Sequence, residues 1–171
     1  MYDMTRGMAN GYFDEGTSSE ESKASRQKAR AQIVAELTID YKNGTYAMAG
    51  SVPAKVTPDM PQFVKDYSNF YETKLGYHER SYGSTSGATV TSAATFMNMP
   101  ILSYADEIET PVLMIHGEKA LSRYFSEDAF KKLKDDNKEL YIVPNAVHTN
   151  LYYKMDVIPF DKIETFFEKN L

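Results

Sequence analysis

The stretch Pro111-Val112-Leu113-Met114-Ile115-His116-Gly117-Glu118, followed after a helical segment by Glu139-Leu140-Tyr141-Ile142-Val143-Pro144-Asn145-Ala146-Val147-His148, decides how this chain folds. Two short apolar runs rich in branched side chains, residues 112–115 and 140–143, are each stopped by a turn residue. About two dozen residues separate them, enough for a crossover helix, so the pattern is that of a βαβ unit. Continuous apolar runs of this kind suit strands covered on both faces, as in a parallel sheet flanked by helices. Ligand-facing side chains then belong just past the carboxyl ends of the strands, where residues 116–118 and 145–148 fall. A carboxylate and an imidazole are expected to meet there.

Those two segments resemble the last two strands of the α/β-hydrolase fold, and are especially similar to its dienelactone-hydrolase-like branch. Further matches are Met1-Tyr2-Asp3-Met4, Phe96-Met97-Asn98-Met99-Pro100, Ser122-Arg123-Tyr124-Phe125-Ser126-Glu127 and Ile158-Pro159-Phe160-Asp161-Lys162. The resemblance takes in most of the chain but only the C-terminal half of such an enzyme. It implies an α/β fold: a helical cap, the last two parallel strands and their flanking helices. Residues 1–100 would hold the strand exit and the cap or insertion, and residues 101–171 the C-terminal βαβα portion of the core.

Composition sets outer bounds. With 171 residues, 42% hydrophobic and 13% aromatic, the chain is long enough for one domain with a sizeable core. A formal charge of -5 gives no electrostatic reason to expect nucleic acid or an anionic membrane as partner. There are no cysteines, which excludes disulfides and thiolate metal sites. No apolar run approaches the roughly 20 residues of a membrane span, and the N-terminus lacks the layout of a signal peptide, so a cytoplasmic address is expected.

In chain order, Thr17, Ser18 and Ser19 before Glu20 and Glu21 mark a helix start, which good helix formers carry to about Leu37. Residues 40–57, with Asn43-Gly44 and Gly50, read as irregular or a weak hairpin. Pro61 opens a helix with Phe63, Tyr67, Phe70 and Tyr71 on one face and Gly76 at its end. That aromatic face serves packing or lines an acyl pocket. Gly83-Ser84-Thr85-Ser86-Gly87 mimics a nucleophile elbow, but its centre is Thr85 and no apolar strand precedes it, so it reads as a loop. Residues 101–108 look like a short helix. Ser126 is placed to cap a helix with Ala129, Phe130 and Leu133 on its buried face, and Phe160, Ile163, Phe166 and Phe167 form the apolar face of the last helix.

The chemistry rests on three side chains. By resemblance His148 is the triad base, which takes a proton from a serine hydroxyl. The plainer alternative is a loop histidine bonded to backbone. The triad acid departs from the family pattern: where relatives read H-G-x-x-D, this chain has His116-Gly117-Glu118-Lys119-Ala120, and Ala120 cannot orient an imidazole. Glu118 is the first candidate, with Asp3, just past the preceding strand in the family's order, as the other. His116 is expected to be structural and His78 exposed. Three histidines without short ligand spacing give no metal site, and phosphate or dinucleotide glycine patterns are absent, so no cofactor is expected.

The resemblance implies a hydrolase of esters or related acyl bonds whose nucleophile serine and oxyanion donors would lie before Met1, leaving the chain inactive alone. Completed by that missing half, it would take a small acyl substrate. The alternative is a non-catalytic scaffold or binding module that pairs with a partner chain. Two strands with an unpaired edge make a poor sheet, so marginal stability or a homodimer through that edge is expected.

Overall fold

The structure, a computed structural model, describes residues 3, 6, 7, 19–81, 87–134, 136 and 138–171. They divide into two compact units, Asp3–Pro100 and Ile101–Leu171.

In the first unit, α1 (Ser19–Asn43) runs 25 residues, past the expected end at Leu37. Its start carries Glu20 and Glu21, which favour the positive end of the helix dipole; the Thr17 and Ser18 hydroxyls lie outside the described residues. Of its apolar residues Ile33 is buried, whereas Val34 and Leu37 stand exposed. Buried Asp40 accepts the Ala47 N–H at 2.9 Å and so closes the turn after the helix, where Gly44 takes the left-handed φ of 64° that a side chain would resist. No local hairpin follows. Residues 47–49 instead form an isolated antiparallel bridge with 88–90, centred on Met48 and Thr89.

The aromatic helix is α2 (Gln62–Tyr71). It ends five residues before Gly76, after which Thr73 Oγ1 donates to the Asn69 carbonyl and accepts the Leu75 N–H. Gly76 instead makes room for an aromatic ring, since a Cβ there would lie 2.3 Å from the Phe70 side chain. Phe63, Tyr67, Phe70 and Tyr71 meet edge to face at centroid distances of 5.0–6.2 Å, so the rings of the stripe pack on one another. A single 3₁₀ turn, Val90–Ser92, leads into α3 (Ala93–Met97), which buries Met97. The elbow-like stretch falls outside the described residues except for Gly87.

The second unit carries the βαβ pattern. β1 (Val112–Gly117) pairs in parallel with β2 (Lys138–Val143), in a register that sets His116 opposite Ile142 and Gly117 opposite Val143. Between them lies α4 (Arg123–Lys132). The chain is thus a mixed α/β protein with a two-stranded parallel sheet. Among the described residues each strand keeps one unpaired edge. Residues 101–108 supply turns and one 3₁₀ turn, Ala105–Glu107, in place of the expected helix.

Beyond β2 come α5 (Asn150–Tyr153) and α6 (Phe160–Asn170). On α6 only Phe166 is fully buried, while Phe160 and Phe167 remain exposed. Glu139 on β2 pairs with Lys162 and so ties α6 to the sheet. The core of the unit is Met114 against Ala105, Ala129 and Leu133, and each large side chain buried there contributes about 1.5–3 kcal/mol. No helix among the described residues is long and apolar enough to cross a membrane.

Candidate functional site

Side chains alternate along a strand, so Met114 and His116 point to the same face of β1. The helix that meets this face presents Ser122, Ser126, Ala129 and Leu133, spaced four, three and four residues apart, as one stripe. Its apolar end covers Met114. Its polar end brings two hydroxyls to His116: Ser126 Oγ lies 2.8 Å from Nδ1 and Ser122 Oγ 3.0 Å from Nε2. All three side chains are buried. Ser126 is therefore not the helix cap expected of it, because α4 begins earlier, at Arg123. His116 is satisfied by these two hydroxyls rather than by backbone.

Ser122 also meets a second histidine. Its Oγ stands 3.4 Å from Nδ1 of His148, and the second ring nitrogen of His148, Nε2, is hydrogen-bonded to the hydroxyl of Tyr152 one helical turn further on. The described geometry is a chain of five groups, Ser126, His116, Ser122, His148 and Tyr152, leading from the core to a half-exposed tyrosine.

The loop that delivers His148 is held tightly. Ala146 is buried, and its carbonyl accepts the Lys119 N–H at 2.9 Å. Asn145 takes a φ of 59°, a left-handed conformation that asparagine tolerates better than most residues. Its N–H donates to Glu118 Oε2 at 2.8 Å. Val147 and Asn150 bond reciprocally around the histidine, through the Asn150 side chain at 3.1 Å and backbone at 3.2 Å.

Glu118 is thus placed in the loop where the sequence put it, but its carboxylate holds the Asn145 backbone rather than the His148 ring. Asp3 falls in the other unit, where its carboxylate accepts the Arg6 N–H at 3.3 Å. His78 is exposed, and its Nδ1 accepts the Arg80 N–H. Ser122, Ser126 and Tyr152 are site residues that reading the sequence missed. The available signal was the spacing that puts both serines on the helix face opposite the strand-end histidine.

Burial pushes both imidazoles down, to about 4 for His116 and about 4 for His148, so both are neutral at pH 7. For His116 the neighbouring His148 and, to a lesser degree, Arg123 add to the effect. A neutral imidazole offers one donor and one acceptor, which matches the hydroxyl partners found on each ring. Among the described residues no group of three or more His, Asp or Glu side chains is placed to hold a metal ion. An apolar cavity of about 370 Å³ beside β1 is walled by Leu102, Ala105, Met114, Ala129 and Leu133 with Ser126 among them, but by neither His148 nor Tyr152.

No family model matches the chain. Over 172 aligned residues it is 42% identical to "Uncharacterized protein PA2218" of Pseudomonas aeruginosa, a match that takes in 100% of this chain and 44% of that protein. The chain is also similar to a solved structure, "Crystal structure of hypothetical protein PA2218 from Pseudomonas Aeruginosa", with a TM-score of 0.84 at 42% identity over 100% of this chain and 51% of that one. The 171 residues thus span 44% of the length of the curated relative they match.

Proposed function

We propose that these residues are the C-terminal portion of an α/β-hydrolase-like acyl hydrolase, similar to the dienelactone-hydrolase branch, in which His148 is the general base. The observation that carries the reading is the attitude of the His148 ring. Nδ1 is held from inside by Ser122, and Nε2 points away from the core toward half-exposed Tyr152. In a catalytic triad the inner nitrogen is the one that is oriented, and the outer one takes the proton of the nucleophile. His148 also follows the carboxyl end of a parallel strand, where sites of open α/β sheets lie. In this reading the nucleophile serine and the oxyanion donors come from sequence beyond these residues, and the substrate is a small ester or related acyl compound that needs no cofactor.

The test is hydrolysis of short-chain p-nitrophenyl esters by the protein expressed from its complete reading frame. His148→Ala should lower kcat/KM on the order of 10⁴-fold or more while leaving the circular dichroism spectrum intact. Equal activity in the variant would refute the assignment.

A second reading, a non-catalytic scaffold that pairs with a partner or a second copy, is favoured by the edge that each strand leaves unpaired among the described residues. Sedimentation of the 171-residue chain separates the two: a dimer that dissociates when an edge residue of β1 is changed to proline supports pairing, and a monodisperse monomer removes it.

A further inference from the structure

Among the described residues the group on the inner nitrogen of His148 is a hydroxyl rather than the expected triad acid. Glu118 is committed to the Asn145 N–H, while the oxygen facing Nδ1 is that of Ser122. Ser122 is only 1% exposed, which rules it out as a nucleophile that substrate must reach. It is also engaged on its far side by His116, whose other nitrogen is held by Ser126.

We propose that Ser122, backed by buried His116, is the positioning residue for His148 and occupies the place on Nδ1 that a carboxylate occupies in a triad. The inference rests on the reading of His148 as the working base.

The placement of protons explains how the relay does this. Each of the five groups carries one mobile hydrogen, so the four links between them can be satisfied head to tail in two directions. In one, Tyr152 O–H donates to His148 Nε2, His148 Nδ1–H to Ser122, Ser122 O–H to His116 Nε2, and His116 Nδ1–H to Ser126. In the other, every bond is reversed and Nε2 of His148 carries the hydrogen. Only the first leaves Nε2 without a hydrogen of its own, able to take a proton from a nucleophile once the Tyr152 hydroxyl yields. When it does, the nucleophile's O–H bond breaks, an N–H bond forms at Nε2, and His148 becomes an imidazolium that donates through Nδ1 to the Ser122 lone pairs. The proton goes no further, because moving it along the relay would place a positive charge on His116, which is only 3% exposed. The 3.4 Å separation of Ser122 and His148 is long for a hydrogen bond of this kind, as catalytic contacts often are before substrate binds.

The experiment is long-range ¹H–¹⁵N NMR of the histidine rings in the uniformly labelled 171-residue chain at pH 7. The expected spectrum shows His148 as the Nδ1–H tautomer, with Nε2 at the shift of an unprotonated nitrogen. Ser122→Ala should return the ring toward the Nε2–H form that free histidine prefers, and Ser122→Thr, which restores the hydroxyl, should recover the Nδ1–H form. Backbone amide peaks of the unit Ile101–Leu171 outside the site report that each variant is folded, and His116→Phe, which takes the acceptor from the Ser122 hydroxyl, should shift the tautomer the same way as Ser122→Ala if Ser122→Ala fails to fold. A His148 ring that is Nε2–H in the parent chain, or that stays Nδ1–H in both Ser122→Ala and His116→Phe, overturns the proposal. The tautomer is read without substrate. Ester hydrolysis that depends on His148 while the tautomer ignores Ser122 would therefore sink this inference alone, and the expected tautomers without His148-dependent hydrolysis would sink the hydrolase reading alone.

Discussion

Gly117 and the carbonyl of Ala146 pass so closely that a Cβ on the glycine would stand 2.4 Å from the carbonyl oxygen. The contact is between backbones, one at the end of β1 and the other in the loop that carries His148, and neither can swing aside as a side chain could. Gly117→Ala should therefore push the two loops apart and cost about 1–3 kcal/mol or more, as overpacking in a tight core does. Urea unfolding followed by circular dichroism checks this through the midpoint; an unchanged midpoint would mean that the loops are not fixed against each other.

Glu118 supports the loop through the Asn145 N–H, a bond that a neutral amide oxygen can also accept. Glu118→Gln in the complete protein should change kcat/KM for an ester by only a few-fold, far from the roughly 10⁴-fold loss that turning a triad acid into its amide brings. Glu118→Ala should cost about 0.5–1.5 kcal/mol of stability, toward the low end because the pair is exposed. A 10⁴-fold loss in Glu118→Gln would restore Glu118 as the triad acid.

Acid should weaken the fold through the histidines. Both rings have folded values of about 4 against an ordinary 6.5, so between those pH values the unfolded chain binds more protons than the folded one. Stability then rises with pH across that window and is level above it. For buried His116 the ceiling is about 3 kcal/mol. Urea midpoints measured from pH 4.5 to 7 should climb, and His116→Gln should flatten the slope; a flat profile in the parent chain contradicts the lowered pKa of the two rings.

If His148 is the base proposed above, Tyr152 holds the nitrogen that the nucleophile must reach, and its bond to His148 has to yield during turnover. Tyr152→Phe should alter kcat/KM by less than about tenfold, the worth of one ordinary hydrogen bond. A loss comparable to that of His148→Ala would make the phenol part of the chemistry and is measured in the same ester assay.

The two strands were legible because residues 112–115 and 140–143 are apolar without interruption, a pattern that a covered parallel sheet imposes on the sequence itself. The strands extend further than those runs, since His116 and Lys138 find partners that polarity alone does not announce: two serines for the former, and for Lys138 the end of α4, where its ammonium donates to the Phe130 carbonyl at 3.1 Å and lies 4.9 Å from that ring. His148 could be singled out from its place after β2, but the group on its inner nitrogen could not. Which side chain meets a ring across 26 residues of chain depends on how α4 sits on β1, and a serine next to an arginine reads locally as a helix start.

The proposed role of His148, as the base of an acyl hydrolase whose nucleophile lies outside these residues, is probed at its root by labelling with a fluorophosphonate, read by intact mass. The samples are the 171-residue chain and the protein from its complete reading frame, each beside its His148→Ala variant. No adduct is expected on the 171 residues, where Ser122 is sealed from solvent. A single serine adduct is expected on the complete protein, lost with His148. An adduct on a serine within these residues, or labelling of the complete protein that is indifferent to His148, would contradict that role.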